Sequence, residues 1–427
     1  MLRKSFVTLL AVALSLVSLR AQEDPSREPY RTRLIPYASD ADAAKRSLDK
    51  QRYMQPIVEW QQLDESTLRG EYTYPFSWLE RQVFVRVEGL YRPYEVWVNG
   101  RYVGGATNGF VATEFNITKS SREDKNVVEL RLLPAEDVAA IECFEHPAQH
   151  PIAYIIAQPR VRVRDIFWRA TVGYGGIVNA DFGVVMRNQT LQNKQSRLYY
   201  ELYANDTTRL GGGHLDVTLT MQATDTMRFG IAVPDSLLWS CDSPNAISLR
   251  LTNRIENRPS EVYNMPVMLR ELAFDDGEFY INRQVVDVKW CDVSPNATIK
   301  DVENLVATGI RTLRFTAGCV SEELLDYCDS IGAYVAITAP INSSKSGKSR
   351  KRGGNPSNNP AWRGEYAERV MAAIHSTKRH SSVIVYFLAD DSANGICLYE
   401  AYLAAKQVAG NRPVFYVDGG KEWNSDI

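Results

Sequence analysis

The chain has 427 residues, 44% of them hydrophobic and 23% charged, with a formal net charge of -2. That length is too great for one compact core, so two or three domains are expected. The near-neutral balance argues against a nucleic-acid partner or a polyanionic substrate.

At the start of the chain, Arg3 and Lys4 precede an apolar run from Phe6 to Leu19 that ends in Arg20-Ala21-Gln22. A basic flank, a short apolar segment and a small residue at the break describe a secretory signal peptide over residues 1–21. The expected product is secreted, periplasmic or at the cell surface. The run is too short for a membrane span, no second run of spanning length follows, and no Cys near the break could take a lipid. Residues 22–55 are polar, with few periodic apolar positions, and read as a partly disordered lead-in arm.

From residue 56 to 175 the pattern is alternation. Gln82-Val83-Phe84-Val85-Arg86-Val87 has period 2, and Tyr94-Glu95-Val96-Trp97-Val98 ends at Asn99-Gly100, a dipeptide suited to a type I′ hairpin. Short strands joined by turns predict a jelly-roll sandwich. A second β block over 176–273 contains Leu198 to Tyr203, Leu215 to Leu219 and Ile247 to Leu251, and predicts an immunoglobulin-like sandwich. The 22 Tyr and 8 Trp could stack on sugars or fill such cores.

The period changes over 274–427. Helical stretches at Ile299 to Thr308, Glu322 to Ile331, Glu365 to Thr377 and Ile396 to Val408 alternate with strands at Thr312 to Phe315, Ala333 to Ile337, Val383 to Leu388 and Pro413 to Val417. Continuous apolar strands between helices mean parallel βα units. About five are present where a closed barrel needs eight, so the fold class is multidomain β plus α/β with an incomplete TIM-type barrel. The six cysteines, at 143, 241, 291, 319, 328 and 397, show no metal-type spacing and read as mostly buried free thiols. No metal site or cofactor is indicated. Between Asn342 and Asn359 lies a Gly/Ser run rich in Lys and Arg, expected as a mobile, exposed loop, with a nucleic-acid or anionic-lipid patch as the sharper alternative.

The order of modules and several motifs resemble glycoside hydrolase family 2, which contains β-galactosidases and β-glucuronidases. Glu95 to Gly104 is similar to a hairpin of that family's sugar-binding domain, and Asp165-Ile166-Phe167-Trp168-Arg169 to the turn that ends that domain. Pro234 to Pro244, Phe279 to Val285, Arg379 to Ile384 and Arg412 to Tyr416 resemble the middle-domain strand entry, the barrel opening, the lead into the catalytic strand and the strand after it. Such enzymes are retaining glycosidases, with a carboxylic acid and a carboxylate nucleophile about 5 to 5.5 Å apart.

The resemblance places Asp391 at the acid position and Asp390 at that of the preceding Asn, within Ala389-Asp390-Asp391-Ser392. Aspartate is about 1 Å shorter than glutamate, and misplacement of that size can cost about a hundredfold. Asp390 also sets a like charge beside the acid. In the family the nucleophile lies on a later strand than this sequence reaches. Around the first two strands the family's His is missing from Trp290 to Pro295, and only Arg314 is kept in Arg314 to Cys319. After the third strand, Ile337-Thr338-Ala339-Pro340 stands where the family has an acid.

The candidate substrate-binding residues are therefore Asp390, Arg314, Asp292 and Trp290. Each has a plainer reading: a solvated acidic strand end, an ion pair, or a core Trp. Two functions stay open. One is an impaired relative that binds a glycan, or serves as an envelope interaction module with a second copy or another protein at the open barrel edge. The other is an active exo-β-glycosidase whose nucleophile comes from a further C-terminal part or another chain.

Overall fold

The computed structural model describes residues 26–426 apart from 50, 257, 316–319, 420, 421 and 423. The signal peptide expected over 1–21 and Cys319 lie outside the described residues. Two β-sandwiches precede a parallel sheet flanked by helices.

In the first sandwich, a four-stranded sheet (Met54–Ile57, Ile152–Pro159, Arg81–Glu88, Thr113–Asn116) faces a five-stranded one that includes Thr67–Tyr74, Asp124–Leu132 and Tyr94–Val98. The period-2 pattern sends Val83, Val85 and Val87 inward against Val96, Val98, Val128 and Leu130. Asn99 and Gly100 both take positive φ, 50° and 75°, as a type I′ hairpin requires.

The second sandwich pairs a three-stranded sheet (Val161–Val172, Ile177–Asn188, Thr224–Pro234) with a four-stranded one (Thr208–Leu219, Lys194–Ala204, Ile247–Ile255, Arg258–Val267). Val161–Val172 contains Asp165 to Arg169, expected to end the first module. It instead pairs along its length with Ile177–Asn188 and opens the second. The chain changes sheets at Arg160, between two uninterrupted strands, where no Gly cluster marks the boundary.

The arm, expected to be partly disordered, has a defined path over its described residues from 26, and its stretch around Arg31 to Leu34 is buried between the modules. Arg31, Thr32 and Arg33 are 2%, 0% and 7% exposed. Ion pairing replaces apolar periodicity: Arg31 donates twice to Glu114 at 2.9 Å and once to the Arg164 carbonyl at 2.8 Å, and Arg33 pairs with Glu323 at 2.9 Å. Ser39 then caps a short helix, Asp40–Lys45.

The last module has five parallel strands in sequential order: β1 (Cys291–Val293), β2 (Thr312–Phe315), β3 (Tyr334–Thr338), β4 (Val383–Phe387) and β5 (Val414–Phe415). Between them run α1 (Ile299–Ala307), α2 (Glu322–Ile331), α3 (Arg363–Thr377) and α4 (Ile396–Val408). α1 starts with a capping box, Thr298 with Asp301, and α2 runs from an Ser321 cap to Gly332 at φ 72°. One face of the sheet packs on the helices through Leu313, Phe315, Val335 and Ile337. The other packs Tyr334, Ala336, Phe387 and Phe415 on an antiparallel hairpin that carries Phe279 and Ile281. The described strands do not close into a barrel.

Among the described residues no helix is long and apolar enough to cross a membrane. The five described cysteines are free; Cys328 and Cys397 are buried, but Cys143, Cys241 and Cys291 are only half-buried, fewer buried thiols than expected.

Candidate functional site

Parallel register sets Asp292 of β1 beside Arg314 of β2. The guanidinium grips the carboxylate with both arms, Nε to Oδ1 at 2.5 Å and Nη2 to Oδ2 at 3.0 Å. Its Nη2 also lies 3.7 Å from Oδ1 of Asp390, which follows β4, and its Cζ stands 5.4 Å from the Phe387 ring centre. The hydrogen bonds that Arg314 donates to Asp292 hold its pKa above the ordinary value against the opposing effect of burial. Three of the sequence candidates thus form one Asp–Arg–Asp group at the C-terminal ends of the strands, where sites on such sheets are built.

Asn342, just after β3, donates to Asp390 Oδ2 at 3.2 Å. Its backbone is held by the first sandwich: the Asn342 N–H donates to the Ile141 carbonyl at 2.7 Å, and the Cys143 N–H to the Asn342 carbonyl at 2.9 Å. Beneath this bridge, Arg369 of α3 pairs with Glu142 and donates to the Pro340 carbonyl at 2.7 Å. Neither Asn342 nor Glu142 was a sequence candidate. Both sit in irregular polar stretches, and their roles depend on a contact between segments some two hundred positions apart.

Asp391 takes a different partner. Its carboxylate meets the Lys348 ammonium, and Lys348 also donates to the Ser392 carbonyl at 3.2 Å. The segment expected to be a mobile loop is pinned on both sides. Asn355 is fully buried, donating to the carbonyls of Ser343 and Gly347 at 3.1 and 2.7 Å and accepting from Ser343 Oγ at 2.9 Å. Residues 347–354 are exposed, yet Arg350 makes a two-armed pair with Glu422 at 2.8 Å. Asn side chains that mimic backbone partners order this stretch despite its composition.

Trp290 is not brought into the charged group. It packs edge-on to Phe279, with centroids 6.4 Å apart, in the apolar cluster on the sheet's inner face. A separate cluster, Asp326, Asp329 and His380, has candidate metal-ligating atoms within 4.8 Å of one another. It lies between α2 and the lead into β4; Asp329 and His380 Nδ1 are engaged, while His380 Nε2 is buried without a hydrogen-bond partner. His380 Nδ1 meets Asp329 Oδ2 at 2.8 Å, and the other Asp329 oxygen accepts the Ser382 N–H at 2.7 Å. Burial alone would depress the His380 pKa, but Asp329 outweighs it and raises it.

Residues 291–427 match the family model described as glycosyl hydrolases family 2, TIM barrel domain. The β-galactosidase of Clostridium acetobutylicum is 22% identical over 356 residues, covering 79% of this chain and 39% of that protein. That of Streptococcus thermophilus is 22% identical over 360 residues, covering 79% and 34%. The chain therefore spans well under half the length of these relatives. A solved glycosyl hydrolase family 2 member from Bacteroides cellulosilyticus has a TM-score of 0.68 at 17% identity, over 82% of this chain and 49% of that one. A Bacteroides uniformis β-glucuronidase, solved with a covalently bound cyclophellitol-6-carboxylate aziridine, gives 0.66 at 15% identity over 82% and 46%.

Proposed function

The chain belongs to glycosyl hydrolases family 2, and from that premise we propose that it recognises a β-glycoside at the strand ends without hydrolysing it. Asp292, Arg314, Asp390 and Asn342 supply fixed donors and acceptors for sugar hydroxyls. The observation that carries this reading is the engagement of Asp391 by Lys348, while Arg314 pairs with Asp292 and Asp390. A glycosidase acid must reach the leaving oxygen with a proton to give, and here the side chain at that position is shorter and already occupied. The β-galactosidase and β-glucuronidase names of the relatives support a galactoside or glucuronide as ligand. In this reading the two sandwiches are a jelly roll and an immunoglobulin-like module, and the protein is exported.

Calorimetric titration with methyl β-galactoside and methyl β-glucuronide tests recognition. Binding is expected to disappear in Arg314→Met, and binding that persists there removes the site. Export predicts a mature N-terminus near Gln22 by mass spectrometry; an intact Met1 in extracytoplasmic material contradicts it. The second reading, an active exo-β-glycosidase with a nucleophile from elsewhere, is favoured by the share of the relatives' length that this chain spans, 39% of the Clostridium protein.

A further inference from the structure

The outer face of the second sandwich carries a groove of about 570 Å³, walled by the arm's helix Asp40–Lys45 and floored by the four-stranded sheet. Strand alternation buries Leu198 and Leu202 and turns Tyr199, Glu201 and Tyr203 outward. Cross-strand pairing sets Thr252 beside Tyr199, Arg250 beside Glu201 and His214 on the far side of Tyr199.

Two cations in this groove differ from most arginines described above. Arg209 is taken by Glu201 at 3.2 Å, but among the described residues Arg250 and Arg254 have no carboxylate oxygen within 4.0 Å. Arg250 donates to the backbone carbonyl of Asp206 at 2.9 Å and lies 4.1 Å from the Tyr203 ring centre. Arg254 lies 4.9 Å from the Tyr199 ring centre, and its Nε is buried without a hydrogen-bond partner. The Tyr199 and His214 rings are 5.5 Å apart and inclined at 37°. A guanidinium laid on a tyrosine keeps its outer N–H groups in a fixed fork suited to a planar or tetrahedral anion. The adjacent rings offer flat apolar faces to a sugar ring, and the volume falls in the range of small-ligand sites.

We propose that this groove is a second saccharide site, separate from the strand ends, selective for sugars that carry one carboxylate or sulfate. Arg250 and Arg254 hold the anion and Tyr199 and His214 take the ring. Asp40 and the neutral Glu201–Arg209 pair bound the groove, and against them Arg250 and Arg254 leave a surplus of positive charge.

The test is calorimetric titration of the full chain with a hexuronate-containing disaccharide, a monosulfated disaccharide and their neutral counterpart. At least one anionic disaccharide should bind, and which one does identifies the anion. Affinity should drop by about tenfold or more in Arg250→Gln and in Arg254→Gln, and should weaken as salt rises from ~50 to ~500 mM. Thr252→Trp, which fills the groove without altering its charge, should also abolish binding. No heat with either anionic sugar overturns the proposal. So does equal affinity for the neutral one, or binding that survives Thr252→Trp. Loss of binding in Arg314→Met with the groove variants unaffected would assign it to the strand ends and equally overturn the proposal.

Discussion

Replacing Arg369 with alanine strands a buried carboxylate at the junction of the first sandwich and the parallel sheet. The Arg369 and Glu142 side chains are 0% and 1% exposed. The guanidinium also donates to Glu365 at 2.8 Å and to the Pro340 carbonyl at 2.7 Å, so three acceptors lose their donor together. Breaking a buried pair from one side costs about 3–5 kcal/mol, whereas exchanging both partners for apolar residues is often neutral. Arg369→Ala should therefore destabilise by about 3–5 kcal/mol, and the double variant Arg369→Met/Glu142→Leu by much less. Burial already raises the Glu142 pKa, with Arg369 opposing it. Removing Arg369 lets the carboxyl rise further, and a raised folded-state pKa favours the fold as pH falls. The penalty should accordingly shrink as pH falls. Urea unfolding followed by tryptophan fluorescence and far-UV circular dichroism reads all three quantities. A loss under about 1 kcal/mol for Arg369→Ala, or a double variant worse than the single, would refute the reasoning.

Asn355→Ala removes the side chain that ties Ser343 to Gly347. It should cost about 1–3 kcal/mol and speed tryptic cleavage at Lys348 to Arg352, and an unchanged digestion rate counts against an ordered loop. Burial and Lys378 bring the His375 pKa down to about 4. A depressed folded-state pKa gives stability that is full above the unfolded value near 6.5 and is lost as pH falls toward 4. His375→Gln should flatten the stability profile in that window, and a profile identical to wild type would contradict this. Burial would raise the Glu114 pKa, but Arg31 and Arg86 prevail and bring it to about 2. Its contribution is full above about 4.5 and is lost as pH falls toward 2, so Glu114→Gln should remove acid sensitivity there, as read by thermal unfolding.

The α/β part was legible because its signals are local. The bounds of α2 and α4 follow from the sequence itself, with Ser321 and Gly332 marking the ends of α2. The sandwiches were legible as alternation, but the crossing at Arg160 was not, because one sheet passes directly into the next without a change of pattern. The arm misled for a different reason. Its burial rests on Arg31, Arg33 and partners in three modules, and a polar segment that depends on distant carboxylates looks like a solvated one. At the site, Asp292, Arg314 and Asp390 could be placed by motif, and register brings them together. The meeting of Lys348 with Asp391 depends on a loop folded by Asn355, and the anchoring of Asn342 depends on the first sandwich. Neither leaves a periodic trace.

The most direct measurement is turnover of p-nitrophenyl β-galactoside and β-glucuronide by the purified chain, beside its Asp391→Asn and Asp391→Glu variants. Recognition without hydrolysis predicts no release of nitrophenol above background from any of the three. Turnover by the wild type that disappears in Asp391→Asn and persists in Asp391→Glu would show that Asp391 donates a proton after all, and would contradict the account.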